Sequence, residues 1–416
     1  MAQPVVFVCS NQTHVRMFTP VARHLLQESG VPGIRVQWLA LDRYYRHEAE
    51  LALRANGWAD YALLPRPERA SDTPWEGGRL ARARVFRQGT RAVRAFLREA
   101  LPGVIALGND IGVLERLFIQ RGRDLGIPAL LVQDGVIALH AEPHAKPVWP
   151  QRILRGAATR MGWLMPGPKS YGLNGSDRIA VMGNAVKRWL VSRGVPPQQI
   201  AVTGQPRYDF LHALRQHTTQ PPCLGELGLP EGQKIILFSS QPYVRYNTCN
   251  EAVARQIWQS MIDGVKALGP GHHLVAKLHP AEDLEWTRQW LGADFPPDWT
   301  LTRDADVLSL VARADALVTV TSTTALEAIC LEKPVVLLQT ALWALPIPYV
   351  ESGAALHAAD SAELAAKLQE ALYDNGVREQ LKAAGRAFAD EYAHITDGAA
   401  TDRVAREILN LLGEQQ

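Results

Sequence analysis

Four hydroxyl residues in a row, Thr321, Ser322, Thr323 and Thr324, follow an apolar stretch from Ala316 to Val320 and precede a helix-forming segment, Ala325 to Leu331. A hydroxyl-rich turn that opens a helix offers side-chain and backbone donors to a phosphate without needing a metal. Glu327, one helical turn on, can face the same ligand, and a carboxylate there suits a pair of ribose hydroxyls. Upstream, His279-Pro280 ends another apolar run. Proline stops strand pairing, so the ring of His279 is projected at the strand tip, where it can meet a leaving phosphate with Lys277 or Glu282 in support. Ser239, Ser240 and Gln241 end an earlier run and could touch phosphate or ribose through side chains and backbone. Each of these, taken alone, also fits an ordinary capped turn.

In the first half of the chain the chemistry is that of proton transfer. Asp134 follows the apolar run Leu130–Val132 and precedes Gly135. A carboxylate in that place can take the proton of an attacking hydroxyl, although an Asp-Gly pair also makes a plain turn. Asp110, in Gly108-Asn109-Asp110, competes for the role. His14, in the polar turn after Val5–Cys9, could act as a base or orient an acceptor; a solvated capping histidine is the simpler account. Arg207, after Gly204, could reach a phosphate or pair structurally with Asp209.

The elements that must position these residues alternate strand and helix from end to end. Val5–Cys9, Ile34–Leu41, Val104–Leu107, Ala129–Gln133, Arg178–Met182 and Ile200–Thr203 read as buried strands, with helices between them. The pattern breaks over Gln216–Gln233, rich in Thr, Pro and Gly. It restarts with Lys234–Ser239, His273–Leu278, Trp299–Leu301, Ala316–Val320 and Val335–Leu338. This is the βαβ signature of parallel sheets covered on both faces. Residues from about Ser361 to Leu412 read as successive amphipathic helices. The expected organisation is a domain over 1–215, a linker over 216–233 and a domain over 234–416 that includes the terminal helices. Ligands of such sheets bind beyond the carboxyl ends of the strands, and every candidate above sits at or near one.

Composition narrows the class. The chain has 416 residues, too many for one usual core. A formal net charge of +2 gives no bulk attraction to nucleic acid. The four cysteines, Cys9, Cys223, Cys249 and Cys330, lack metal-type spacing and suit a reduced, cytoplasmic setting. No basic, apolar leader opens the sequence, and no run approaches the roughly 20 apolar residues that span a bilayer. Asp304-Ala-Asp306 has metal-binding spacing but reads as the cap of the next helix, so metal-free chemistry with no cofactor is expected. Two stretches are basic and amphipathic. Arg79 to Arg98 holds seven arginines among Val85, Phe86, Val93, Phe96 and Leu97, and Trp149 to Lys169 is similar. Either could lie against an anionic membrane from the cytoplasmic side, or be a solvated helix face.

Asp134-Gly135, His279-Pro280 and Ser322-Thr323, in that order, resemble the motifs of GT-B glycosyltransferases. The similarity is nearest to bacterial sialyl-, polysialyl- and Kdo transferases that use CMP-sugars, and it covers nearly the whole chain. The resemblance implies two facing Rossmann-like domains with an interdomain cleft, the nucleotide-sugar held mainly by the second. It implies an inverting, metal-independent transfer to a surface-glycan or lipid-linked acceptor. Asp134 would be the base, His279 the partner of the leaving phosphate, and Ser322, Thr323 and Thr324 its cradle. Gln133 departs from the motif, which has an acidic residue there. Polyol-phosphate transferases using CDP-glycerol and UDP-sugar 2-epimerases share the later elements. The Gly-Thr-Arg turn usual in the epimerases is replaced here by Cys9-Ser10-Asn11-Gln12-Thr13. A non-catalytic sugar-nucleotide-binding module is the remaining alternative.

Overall fold

The computed structural model describes residues 3–45, 48–66, 79–137, 169–216, 227–245, 248–338, 347–394 and 397–413, with side chains of 79–83 left aside. The basic stretch Trp149–Lys169 therefore lies almost wholly outside the described residues, as does Cys223. Two compact units emerge. Unit 1 comprises residues 1–209 and 399–416, and unit 2 residues 210–398.

Unit 1 is built on seven parallel strands: β1 (Val5–Cys9), β2 (Val36–Ala40), β3 (Tyr61–Leu63), β4 (Val104–Leu107), β5 (Ala129–Val132), β6 (Arg178–Val181) and β7 (Ile200–Val202). Their order is β3-β2-β1-β4-β5-β6-β7. The chain winds outward from β1 to β3, then returns to the other side of β1 with β4. Neighbouring crossovers therefore diverge at the β1–β4 boundary and leave a crevice above the carboxyl ends of these two strands. β1, β4 and β5 are buried at every residue, which is why they read as continuous apolar runs. Phe7 packs on Phe18 and Trp38, with ring centroids 4.8 and 5.0 Å apart. Truncating such a ring to alanine costs about 3–5 kcal/mol.

The helix Arg79–Ala100 belongs to this unit. Its Val85, Phe86, Val93, Phe96 and Leu97 are buried in the core. The apolar side of this basic amphipathic stretch is thus occupied within the fold. Arg84, Arg87, Arg91, Arg94 and Arg98 form an exposed stripe at alternating spacings of three and four residues.

Unit 2 carries six parallel strands: β8 (Lys234–Ser239), β9 (His272–Lys277), β10 (Thr300–Thr302), β11 (Ala316–Thr319), β12 (Val335–Leu338) and β13 (Leu356–Ala358), in the order β10-β9-β8-β11-β12-β13. The winding reverses at the β8–β11 boundary. Asp306 caps the helix Val307–Arg313 by accepting from Ser309 N at 2.8 Å, the role expected from its sequence context.

The last helix departs from the sequence reading, which grouped all terminal helices with the second domain. Ala400–Gly413 packs in the core of unit 1 through Val404, Ala405, Ile408 and Leu411. Asp209 accepts from the backbone N–H groups of Ala400 and Thr401 at 2.9 and 2.8 Å and fixes where that helix starts. An amphipathic pattern states that a helix needs an apolar surface, not which one. The helix Ala49–Ala55 and strands β3 and β13 were also not anticipated. Both strands are three-residue, mostly half-buried edges, too short for a period to show.

Candidate functional site

The reversal point of unit 1 gathers three of the sequence candidates. Asn11 caps the helix Gln12–Gln27 by accepting from His14 N at 2.9 Å, which turns the His14 ring inward. His14 is fully buried, and its Nε2 lies 3.2 Å from Oδ2 of Asp134, whose side chain is 32% exposed. Ser10 N donates to His14 Nδ1 at 3.3 Å. A backbone N–H can only donate, so Nδ1 is an acceptor and Nε2 carries the ring proton toward Asp134. The imidazole Nε2–H thus donates to one oxygen of a side chain that stays partly exposed. Gly108, at the end of β4, makes the room: a Cβ there would lie 2.5 Å from His14 Cδ2 and 2.6 Å from Nε2.

The turn bearing Asp134 is held from below by residues that the motif reading passed over. Gln133, conspicuous only for not being acidic, is buried. Its Oε1 accepts from Met182 N at 2.9 Å and its Nε2 donates to Gly135 O at 2.8 Å. Gln205, also buried, donates to the carbonyls of Gln133 and Asp134 at 2.9 and 3.1 Å. Two amides therefore bracket the Asp134 peptide where an acidic residue was expected. Glutamines near a turn are too common for this role to be read from sequence.

Asp110 is fully buried, and its carboxylate accepts from Gly172 N, Asn174 N and Asn174 Nδ2 at 3.1–3.2 Å. Burial raises its pKa above the usual carboxylate range despite those bonds. Its place is under the 170–174 loop, whereas the Asp134 side chain is partly exposed. Arg207 sits half-buried in a short 3-10 turn, Pro206–Tyr208, beside the Asp209 that caps the last helix.

In unit 2 the hydroxyls converge at the β8–β11 boundary. Ser239 Oγ lies 3.4 Å from Ser322 Oγ and 3.2 Å from Thr324 Oγ1, and those two are 3.0 Å apart. Thr321 Oγ1 donates to Gln241 Oε1 at 2.7 Å, tying the turn after β11 to the turn after β8. Thr323 is exposed at the start of the helix Thr324–Cys330. A triangle of hydroxyls can rotate its protons toward an anion, because each oxygen both donates and accepts.

His279 stands beside this cluster after β9. Ala281 N donates to its Nδ1 at 3.0 Å, so Nε2 bears the proton. Burial first, then the charges of Lys277 and Arg245, hold the ring below the ordinary histidine range. It is a neutral donor at neutral pH. Glu282 uses both oxygens as a bracket, one accepting from Ser240 Oγ at 3.0 Å and the other from His279 N at 2.8 Å. Lys277 is buried with Nζ donating to Leu278 O at 2.7 Å, and Pro280 is exposed. Glu327 is buried near Cys330 and Tyr349. Burial, the largest cause, pushes the pKa of both groups up, helped at Cys330 by the Glu327 charge and at Tyr349 by Cys330 and then Glu327.

Comparison with known proteins places these sites in a family. Residues 184–410, more than half of the chain, match the model of the CDP-Glycerol:Poly(glycerophosphate) glycerophosphotransferase family, and the chain belongs to it. No curated protein matches the chain. Solved structures resemble it in fold. UDP-GlcNAc 2-epimerase from Neisseria meningitidis, bound to UDP-GlcNAc, is 14% identical with a TM-score of 0.65 over 99% of this chain and 100% of its own. The glycotransferase of kitacinnamycin is 18% identical at a TM-score of 0.65, again over 99% and 100%. The spinosyn rhamnosyltransferase is 17% identical at 0.55, over 97% and 100%. The expected GT-B-like, two-domain α/β fold is therefore present, and the family is a transferase family. That family is the CDP-glycerol branch, held above as an alternative to the CMP-sugar transferases.

Proposed function

We propose that this member of the CDP-glycerol glycerophosphotransferase family is a metal-independent transferase whose donor is a cytidine nucleotide, with a CDP-activated polyol as the favoured substrate. The carrying observation is the hydroxyl triangle of buried Ser239 and Thr324 and half-buried Ser322 beside a histidine fixed as a neutral donor. Such a group can accept growing negative charge on a leaving phosphate without moving. Asp134 takes the proton of the acceptor hydroxyl, with His14 holding its carboxylate in place. The acceptor oxygen bonds to the distal phosphorus of the donor. The bond from that phosphorus to the bridging oxygen breaks, and its electron pair leaves with the nucleoside monophosphate. His279 Nε2–H and the hydroxyls of Ser322, Thr323 and Thr324 receive that charge.

Glycosyl transfer from a CMP-sugar is the second reading, supported by the order of Asp134-Gly135, His279-Pro280 and Ser322-Thr323. The exposed arginine stripe on Arg79–Ala100 suits an acceptor or surface rich in phosphate, at about 1 kcal/mol per cation near an anionic membrane. The test is transfer from CDP-glycerol, CMP-sugars and UDP-sugars to a phosphate-rich or glycan acceptor, with product analysis by NMR. Release of CMP with a new phosphodiester supports the first reading. Release of CMP with a new glycosidic bond supports the second. Turnover of a UDP-sugar without any acceptor would sink both and favour an epimerase.

A further inference from the structure

A cavity of about 340 Å³ opens in unit 2 next to the phosphate cluster, lined by Gln241, Tyr243, Trp258, Trp286 and Trp290 among others. Its size and mainly apolar lining with a few polar groups are those of a small-ligand pocket. Its aromatic wall is preorganised. Trp286 and Trp290, one helical turn apart on Leu284–Leu291, stack with centroids 5.5 Å apart and planes 17° apart. Trp290 is pinned in turn. Its Nε1 donates to Glu251 at 2.8 Å, and the Arg255 guanidinium lies 4.4 Å from its ring centroid. Trp286 remains 55% exposed. A large indole left half in water, on a rigid support, is a platform for a ring that is apolar on its face and polar at its edge.

The polar members of the wall select the ligand further. The lining carries two carboxylates, Glu282 and Asp283, against one guanidinium, Arg245, so it offers a phosphate no excess of positive charge. Arg245 donates to Ala281 O at 2.6 Å, and Asp283 caps the tryptophan-bearing helix by accepting from Trp286 N at 2.8 Å. Gln241 adds a neutral amide, while the Thr287 hydroxyl already donates to Asp283 O at 2.6 Å. Continuity with the cluster is direct. Gln241 is bonded to Thr321, and Glu282 to Ser240 and His279 N, so two lining residues also build the phosphate site.

We infer that this cavity is a subsite for a neutral glycosyl ring of the acceptor, stacked on Trp286 and hydrogen-bonded at its edge. The inference rests on the proposed reading of the adjoining cluster as the donor-phosphate site. A hydrocarbon chain would leave the rim groups facing apolar atoms, and an anionic chain would meet the two carboxylates.

The experiment uses saturation-transfer NMR on the full chain with methyl glycosides of glucose and N-acetylglucosamine, and calorimetric titration of CDP and pyrophosphate in parallel. The expected result is saturation of the ring protons of at least one glycoside. Trp286→Leu should weaken that glycoside at least tenfold, Trp286→Phe should retain it, and neither should change the affinity for CDP or pyrophosphate. Because Trp286 is half exposed, both variants are expected to fold, and an unchanged melting temperature checks it. Absence of glycoside saturation in a chain that binds CDP overturns the inference and leaves the donor assignment standing. Loss of CDP but not of pyrophosphate binding in Trp286→Leu overturns it in favour of the nucleobase. Loss of binding to phosphatidylglycerol vesicles in Trp286→Leu, with glycosides silent, overturns it in favour of a membrane contact. Failure of wild type to bind any of CDP, CMP or UDP counts against the donor reading, while the glycoside arm is still decided by its own signal.

Discussion

The two reversal points place their chemistry in opposite ways. In unit 1 a single carboxylate, Asp134, has one oxygen on a buried histidine while its side chain stays partly exposed. Everything around it, Gly108, Gln133 and Gln205, serves its position. In unit 2 the proposed phosphate-binding role is shared among Ser239, Ser322 and Thr324, with His279 held by Glu282 and Ala281 N. A proton can be taken by only one atom, so the first site concentrates its function. Charge on a phosphate is spread over several oxygens, so the second site can distribute it. Single substitutions should therefore be severe in unit 1 and graded in unit 2.

The sharpest test of that contrast is Asp134→Asn, which keeps the shape and removes the base. Turnover should fall by about 10²–10⁴-fold, while CDP affinity by calorimetry stays at the wild-type level. Wild-type turnover in this variant would break the assignment. Next in size is Gly108→Ala. The added methyl must displace the His14 ring, and displacement of about 1 Å in a positioning group can cost about 10²-fold in rate. Steady-state kinetics should show the loss in kcat, again with CDP affinity kept.

In unit 2, Thr324→Val removes one hydroxyl of the triangle at nearly constant shape. A single hydrogen bond is worth about 1 kcal/mol net, so CDP should bind roughly five- to tenfold more weakly. Ser239→Ala combined with Thr324→Val should multiply that loss. A loss from Thr324→Val as large as that from Asp134→Asn would erase the contrast.

The smallest effect concerns pH. Burial, then Lys277 and Arg245, depress the His279 pKa below the ordinary 6.5. The folded state then binds that proton less readily than the unfolded state. Its stabilisation is whole above the unfolded value and is lost as pH falls through the depressed one. His273, depressed chiefly by burial, acts in the same direction. Melting temperature should fall as pH is lowered below about 6.5, less steeply in His279→Gln.

Much of this was legible because buried parallel strands must be apolar at every position. β1, β4, β5, β8, β11 and β12 stand out as such runs, and the chemical residues lie just past their ends. The missed edges, β3 and β13, have three residues each and little burial to enforce a pattern. Within the sites, His279-Pro280 and Ser322-Thr324 were visible because their types are unusual at strand tips. Gln205 was not, because it acts on a turn 71 residues away in sequence. Asp110 and Asp134 looked alike as residues after strands. Burial under the 170–174 loop separates them.

The sequence alone determined the α/β class, the parallel sheets and the loops that carry the chemistry, since burial on both faces and chain reversal impose composition locally. Tertiary structure decided the rest. It separated two aspartates by burial, fixed the proton on Nε2 of both His14 and His279, and gave Glu282, read as support for His279, the form of a two-oxygen bracket. It also sent the last helix to unit 1. Each of these depends on which distant group approaches within hydrogen-bonding or packing distance, and local pattern carries no record of that.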